Sequence, residues 1–320
     1  MPVPPETGVV IHGQDLPVAE MLERARLAEK LGVDAVWLVQ LPSLRDSAAV
    51  LAALACVTER VTLGAGVLPF YTRPPVTMAQ TALTVDELSG GRFALGVGSG
   101  HRVTGEWMLG VPTGPPVGSM REYLSVVTSL IRDGEVHQTG DWYRAHAVYA
   151  APRRAGLPVH LGAFGPRLAE LAGEAADGLM LWMCTAAYIR EVVMPALDRG
   201  LRRSGRSPDG FPVVAMVPGA VSEDLAGDRE LLRRYLAAYA RVPTYRRMYE
   251  LSGFGDELTR GAVSDGMLDE IAVLGDEAAV RAMADRYRRA GATQVVITPM
   301  ASAHNDRALF TRTVEALVGR

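Results

Sequence analysis

VTLGAGVLPFYTRPPVTMAQTALTVDELSGGRFALGVGSGH, residues 61–101, reads as strand, long helix and strand. Both strands end in small residues. Val61-Thr62-Leu63 stops in Gly64-Ala65-Gly66, and Phe93-Ala94-Leu95 stops in Gly96-Val97-Gly98-Ser99-Gly100. Glycine at a strand's carboxyl end lets the backbone bulge or lets a flat ligand approach closely. Parallel α/β folds bind ligands at those ends. The stretch therefore points to a cofactor site.

The same alternation continues on either side. Short apolar strands are expected at Gly8–Ile11, Ala35–Val39, Leu157–Leu161, Gly178–Met183, Pro212–Val217 and Gln294–Thr298, besides the two above. Amphipathic helices fall between them, at Leu16–Leu31, Ser47–Thr58, Pro74–Leu88, Ser119–Asp133, Arg167–Ala176, Ala187–Ser204 and Asp276–Ala290. Ala35-Val-Trp-Leu-Val39 is apolar throughout, as a strand covered on both faces should be. Eight strands alternating with helices give an α/β fold, a (β/α)8 TIM barrel. A doubly wound open sheet is the competing reading, but it needs fewer strands. No low-complexity linker divides residues 1–320, so the expectation is one barrel domain. Segments 102–118, 134–156 and a helical insertion at about 222–265 exceed the minimal barrel. Such insertions at a barrel's C-terminal rim shape its site.

Bulk properties remove whole classes of function. The net charge of −3 offers no basic face for nucleic acid. The longest apolar run, Ala48 to Val57, is too short to span a bilayer, so no membrane partner is expected. MPVPPETG lacks the charged and apolar regions of a secretion signal, which makes a cytoplasmic location the expectation. Cys56 and Cys184 are too few for a disulfide framework and lack metal spacing. The six histidines are scattered, and no metal site is expected. Lys30, the one lysine, lies in a helix rather than at a strand end, which argues against Schiff-base chemistry. Cys184 has no evident base beside it to make it a nucleophile.

Gly96-Val-Gly-Ser-Gly100 is not a dinucleotide fingerprint, because His101 stands where the third glycine belongs and no clear helix follows. His101 is instead a candidate proton donor at a strand end, since imidazole titrates near neutrality. It is equally compatible with a rim histidine that does no chemistry. Leu161-Gly-Ala-Phe-Gly-Pro166, ahead of a helix, is a phosphate candidate: small residues expose backbone N–H groups, and the helix start adds a positive dipole end. Arg167 could assist there or remain solvated. His12 is an ordinary loop residue or a pocket residue.

Taken together, Ala35-Val-Trp-Leu-Val-Gln40, Val61 to Phe70, Asp86-Glu-Leu-Ser-Gly-Gly-Arg-Phe-Ala-Leu-Gly-Val-Gly98 and Leu161 to Pro166 resemble the luciferase-like monooxygenase superfamily. Within it, the pattern is similar to the deazaflavin (coenzyme F420)-dependent oxidoreductases, which include methylenetetrahydromethanopterin reductase. The resemblance implies hydride transfer between F420 and a small organic substrate. An FMN-dependent monooxygenase and a non-catalytic deazaflavin-binding protein stay as alternatives. It further implies a cis peptide at Gly66–Val67 beneath the ring, with Gln40, Gly98 and His101 around it. Gly162, Ala163, Phe164 and Gly165 would hold the phosphate; from its own place at the end of the sixth strand, Trp182-Met183-Cys184 is expected to line the same channel. His101 carries the catalytic expectation. Pairing through Ala48–Val57 and Pro74–Leu88 would make a homodimer. The 222–265 segment has no counterpart in the pattern and is where substrate would be chosen.

Overall fold

Eight strands find their partners in one closed ring. The computed structural model describes residues 6–12, 16–100, 104–112, 114–303 and 305–319. The barrel strands are β1 (Thr7–Val10), β2 (Ala35–Leu38), β3 (Thr62–Ala65), β4 (Phe93–Gly98), β5 (Val159–Gly162), β6 (Gly178–Trp182), β7 (Val213–Val221) and β8 (Gln294–Pro299). Each pairs in parallel with the next, and β8 returns to β1 with Val296 opposite Gly8. The fold is a (β/α)8 barrel, and the open-sheet alternative is excluded by that last pairing. Every barrel strand ends within three residues of where its apolar run ends in the sequence, except β7, which runs on to Val221.

Glycine decides what fills the interior. Trp37 on β2 is fully buried at its centre. A Cβ added at Gly64 would come within 2.1 Å of its ring, and one at Gly8 within 3.2 Å of its Nε1. Only side-chain-free positions on β1 and β3 can accept an indole there. Above it sit Met180 and Met216; a Cβ at Gly66 would meet the Met216 methyl at 2.6 Å, and one at Gly96 the Met180 sulfur at 2.7 Å. Flexible thioethers suit this irregular layer.

The Asp86–Phe93 motif works at the opposite end from the strand termini. Asp86 forms a two-pronged pair with Arg154, at 2.9 Å to Nε and 2.6 Å to Nη2. Gly90 and Gly91 take φ of +66° and +86° to turn the chain, which only glycine does cheaply. Arg92 donates to the carbonyls of Thr58 and Val61, both at 2.9 Å. It also donates to Ala55 O at 3.3 Å, at the end of helix Ser47–Ala55, which stops earlier than the expected Thr58. The motif is a structural clasp.

Three features depart from the sequence reading. Segment 134–156 holds a hairpin, Glu135–Thr139 against Arg144–Val148. The insertion after β7 comprises helices Leu225–Tyr239, Pro243–Tyr249, Gly255–Thr259 and Asp265–Ile271, so it ends later than 265. A last helix, Arg307–Val318, covers the barrel beside Val18–Leu31. In Ser47–Ala55 and Pro75–Leu88 the large apolar residues Leu51, Leu54, Met78 and Leu83 pack inward. Their outward residues include the uncharged Ala49, Thr77, Gln80 and Thr84 beside the charged Glu87, and the homodimer expectation attaches to that face. No helix among the described residues is long and apolar enough to cross a membrane.

His160 on β5 is buried in the barrel interior, its ring centre 6.1 Å from that of Trp37. Burial lowers its pKa to about 4, against the opposing pull of Asp177. The folded chain thus keeps the imidazole neutral where the unfolded chain, near 6.5, takes up a proton. Stability from this group is complete above pH 6.5 and is lost as pH falls toward 4, by about 3 kcal/mol in full. Denaturant unfolding at pH 7 and 4.5 should show this loss in the parent and a smaller one in His160→Gln; equal losses would contradict it.

Candidate active site

The carboxyl ends of the strands open into a cavity of about 990 Å³. That is the upper end of ligand-pocket size and has room for a cofactor and a substrate together. Met180, Trp182 and Met216 line it from the barrel interior, and Gly66 and Val67 from the end of β3.

Val67 is the central wall residue. The Gly66–Val67 bond is cis, as the resemblance implies. The two methyl groups of Val67 rest over two different strands: a Cβ on Gly162 would meet Cγ1 at 2.6 Å, and a Cβ on Gly98 would meet Cγ2 at 2.6 Å. Gly98 therefore lies behind Val67 and supports it, whereas direct ligand contact was expected. Its glycine is required by packing between neighbouring strands.

The turn after β5 brings Gly162, Ala163, Phe164 and Gly165 to the cavity wall together. Helix Pro166–Ala175 starts there with Gly165 as its N-cap, which supplies no side-chain cap hydrogen bond. A Cβ at Gly165 would meet nothing within 4 Å. Unlike Gly98 and Gly162, this glycine is not required by a packed side chain, and its backbone borders the cavity. Pro166 and Leu168 line the cavity, and Arg167 is exposed outside it.

Gln40 also lines the wall. Its Oε1 accepts from Ser47 N at 2.8 Å and Ser47 Oγ at 3.0 Å, and its Nε2 donates to Leu41 O at 3.2 Å. The acceptor oxygen is thus committed to starting helix Ser47–Ala55, which leaves one amide N–H for a ligand. His12 lines the same wall. His101 lies outside the described residues; Ser99 and Gly100 just before it line the cavity. Met183 does not line it: the residue is fully buried with φ of 55°, and the preceding Trp182 takes the wall position. Cys184 is buried, and burial pushes its thiol pKa up, which leaves it no nucleophile.

The insertion supplies the outer wall, which the strand pattern does not reveal. Tyr235, Tyr239, Tyr245 and Arg247 line it. Tyr239 meets Tyr245 edge-on at 4.8 Å, and Tyr245 packs on Phe164 at 4.6 Å. This stack ties the insertion to the turn after β5. Tyr188 adds a bond from its hydroxyl to Phe164 O at 3.3 Å, and burial raises its pKa to about 12, so it stays a neutral donor. The four-residue step from Tyr235 to Tyr239 is a one-face helical spacing that could have flagged this wall. At the mouth, Arg73 pairs with Asp46, which also caps helix Ser47–Ala55.

The model of the luciferase-like monooxygenase family matches residues 3–294. The chain belongs to this family. It is 28% identical to a 5,10-methylenetetrahydromethanopterin reductase of Archaeoglobus fulgidus over 302 residues, 88% of this chain and 90% of that one. In structure it is similar to the coenzyme F420-dependent tetrahydromethanopterin reductase of Methanopyrus kandleri, with TM-score 0.80, 24% identity and coverage of 99% and 97%. It is also similar to the FMN-bound oxygenating component of 3,6-diketocamphane monooxygenase from Pseudomonas putida, with TM-score 0.76, 15% identity and coverage of 98% and 96%.

The two classes of glycine should respond differently to a methyl group. Gly162→Ala drives a Cβ into Val67 and should cost about 1–3 kcal/mol in denaturant unfolding, the usual cost of overpacking. Gly165→Ala, facing open space, should stay within about 0.5 kcal/mol of the parent. Equal costs would mean that Val67 is not seated as described.

Proposed function

We propose that the chain is an F420-dependent oxidoreductase that passes hydride between the deazaflavin and a small organic substrate. The observation that carries this reading is that one cavity holds both the Gly66–Val67 wall and the open Gly162–Gly165 turn. A tricyclic ring with a phosphate-bearing tail needs both, and the unblocked space at Gly165 fits the tail. The Methanopyrus reductase is coenzyme F420-dependent, and that likeness supports the deazaflavin over FMN. When bound, F420 supplies a carbon centre that accepts or releases hydride.

The chain's own residues do the rest. Val67, fixed by Gly98 and Gly162, offers a stiff apolar face against which a flat ring can lie. Gln40 presents its remaining amide N–H to a polar edge. Backbone N–H groups at the start of helix Pro166–Ala175 favour a phosphate through direct bonds and the helix dipole. Tyr235, Tyr239 and Tyr245 exclude water from the outer half and favour an apolar or ring-containing substrate. His101, next in sequence to cavity-lining Gly100, carries the proton that accompanies hydride transfer.

Titration of the purified protein should show clear preference for F420 over FMN, with reduction or reoxidation of bound F420 by substrate. Equal or tighter FMN binding, or oxygen-dependent turnover of reduced FMN, would place the chain among the monooxygenases. F420 binding with no turnover on any substrate would favour the non-catalytic alternative. His101→Ala should leave F420 affinity within a few-fold and slow turnover by roughly 10²-fold, the usual weight of one general acid or base. Parental turnover in that variant would assign the proton to substrate or water.

A further inference from the structure

We propose that His137 and His146, on the outer face of the Glu135–Val148 hairpin, form a surface binding site for a borderline divalent cation such as Zn²⁺, Ni²⁺ or Cu²⁺. The site is separate from the cavity and does not depend on the F420 reading. The two histidines are direct partners in the antiparallel register, and both are exposed. Their Nδ1 atoms face each other at 3.5 Å, with ring planes inclined by 41°.

That separation suits a shared metal better than a shared proton. A proton-bridged pair prefers a donor–acceptor distance near 3 Å, so 3.5 Å is a poor hydrogen bond. Zinc–imidazole bonds of 2.0–2.1 Å drawn from both Nδ1 atoms meet at an angle of about 115°, close to tetrahedral. Thr139 Oγ1 lies 3.5 Å from His146 Nε2. An Nε2–H turned toward that hydroxyl leaves the Nδ1 lone pair free, the outer-shell arrangement that orients metal-bound histidines.

The hairpin holds the pair in place. Its alternating side chains Val136 and Ala145 are buried. Glu122 receives the backbone N–H groups of Asp141, Trp142 and Tyr143 at 3.0, 2.8 and 2.8 Å, which pins the tip. Strand alternation puts Glu135 on the same outer face as His137, where its negative charge favours a cation without joining the ligand set. Arg144 shares that face two residues before His146, and its charge keeps the affinity moderate. No cluster of three or more histidine, cysteine or acidic residues occurs among the described residues, so water completes the coordination. Imidazole donors select zinc, nickel and copper over hard cations such as magnesium.

Calorimetric titration of the untagged, chelator-stripped full chain with ZnCl₂ tests the site. The expected result is one zinc bound with micromolar affinity, weakened at least about tenfold by His137→Ala or His146→Ala. Both positions are on the surface, so the variants should fold, as circular dichroism can verify. Amide exchange across Glu135–Val148 should slow on zinc addition in the parent and not in the double variant. Zinc binding that persists in the double variant, or MgCl₂ binding as tight as ZnCl₂, would overturn the proposal.

Discussion

The site depends on one packing constraint: Val67 is wedged between two strands that have no side chains where it sits. Its methyl groups occupy the space that Cβ atoms at Gly98 and Gly162 would take. Because β4 and β5 are adjacent and parallel, those two glycines lie side by side with Gly98 opposite Gly162 in register. The same logic runs down the barrel, where Gly8 and Gly64 make room for Trp37, and Gly66 and Gly96 for Met216 and Met180. An interior packed this densely transmits strain rather than absorbing it. The wall of the cavity is therefore as rigid as the barrel that carries it.

Division of labour follows from the topology. Strand ends, which the barrel holds fixed, provide the Gly66–Val67 wall and the Gly162–Gly165 turn. The insertion between β7 and β8 provides the tyrosine wall, which can change without disturbing the ring of strands. Phe164 joins the two halves, because its ring packs on Tyr245 while its carbonyl accepts from Tyr188. The insertion and the turn after β5 are thus tied together through one residue.

Much of this was legible in the amino-acid order. Runs such as Ala35–Leu38 are apolar at every position because the barrel buries both faces, and the strand-end glycines marked the cavity side. The two meanings of those glycines were not legible. Gly98 and Gly165 look alike in sequence, yet one is fixed by a neighbouring side chain and the other faces open space. Met183 was placed on the wall because it ends an apolar run; the strand stops at Trp182 and the backbone then turns. The hairpin escaped notice because each strand alternates with mostly polar residues and buries only small ones. The final helix was more visible: Leu309, Phe310, Thr313, Val314 and Leu317 form a buried stripe. The eighth strand completes the expected barrel before that helix, which the sequence reading left unassigned.

In the proposed complex a flat ring lies on Val67 while the cofactor's phosphate reaches the turn at Gly165. A crystal structure of the chain with F420 bound tests this most directly. Ring density is expected against the Gly66–Val67 face, with phosphate density within hydrogen-bond reach of the backbone N–H groups at the start of helix Pro166–Ala175. Ring density away from Val67, or a phosphate held elsewhere on the rim, would contradict it.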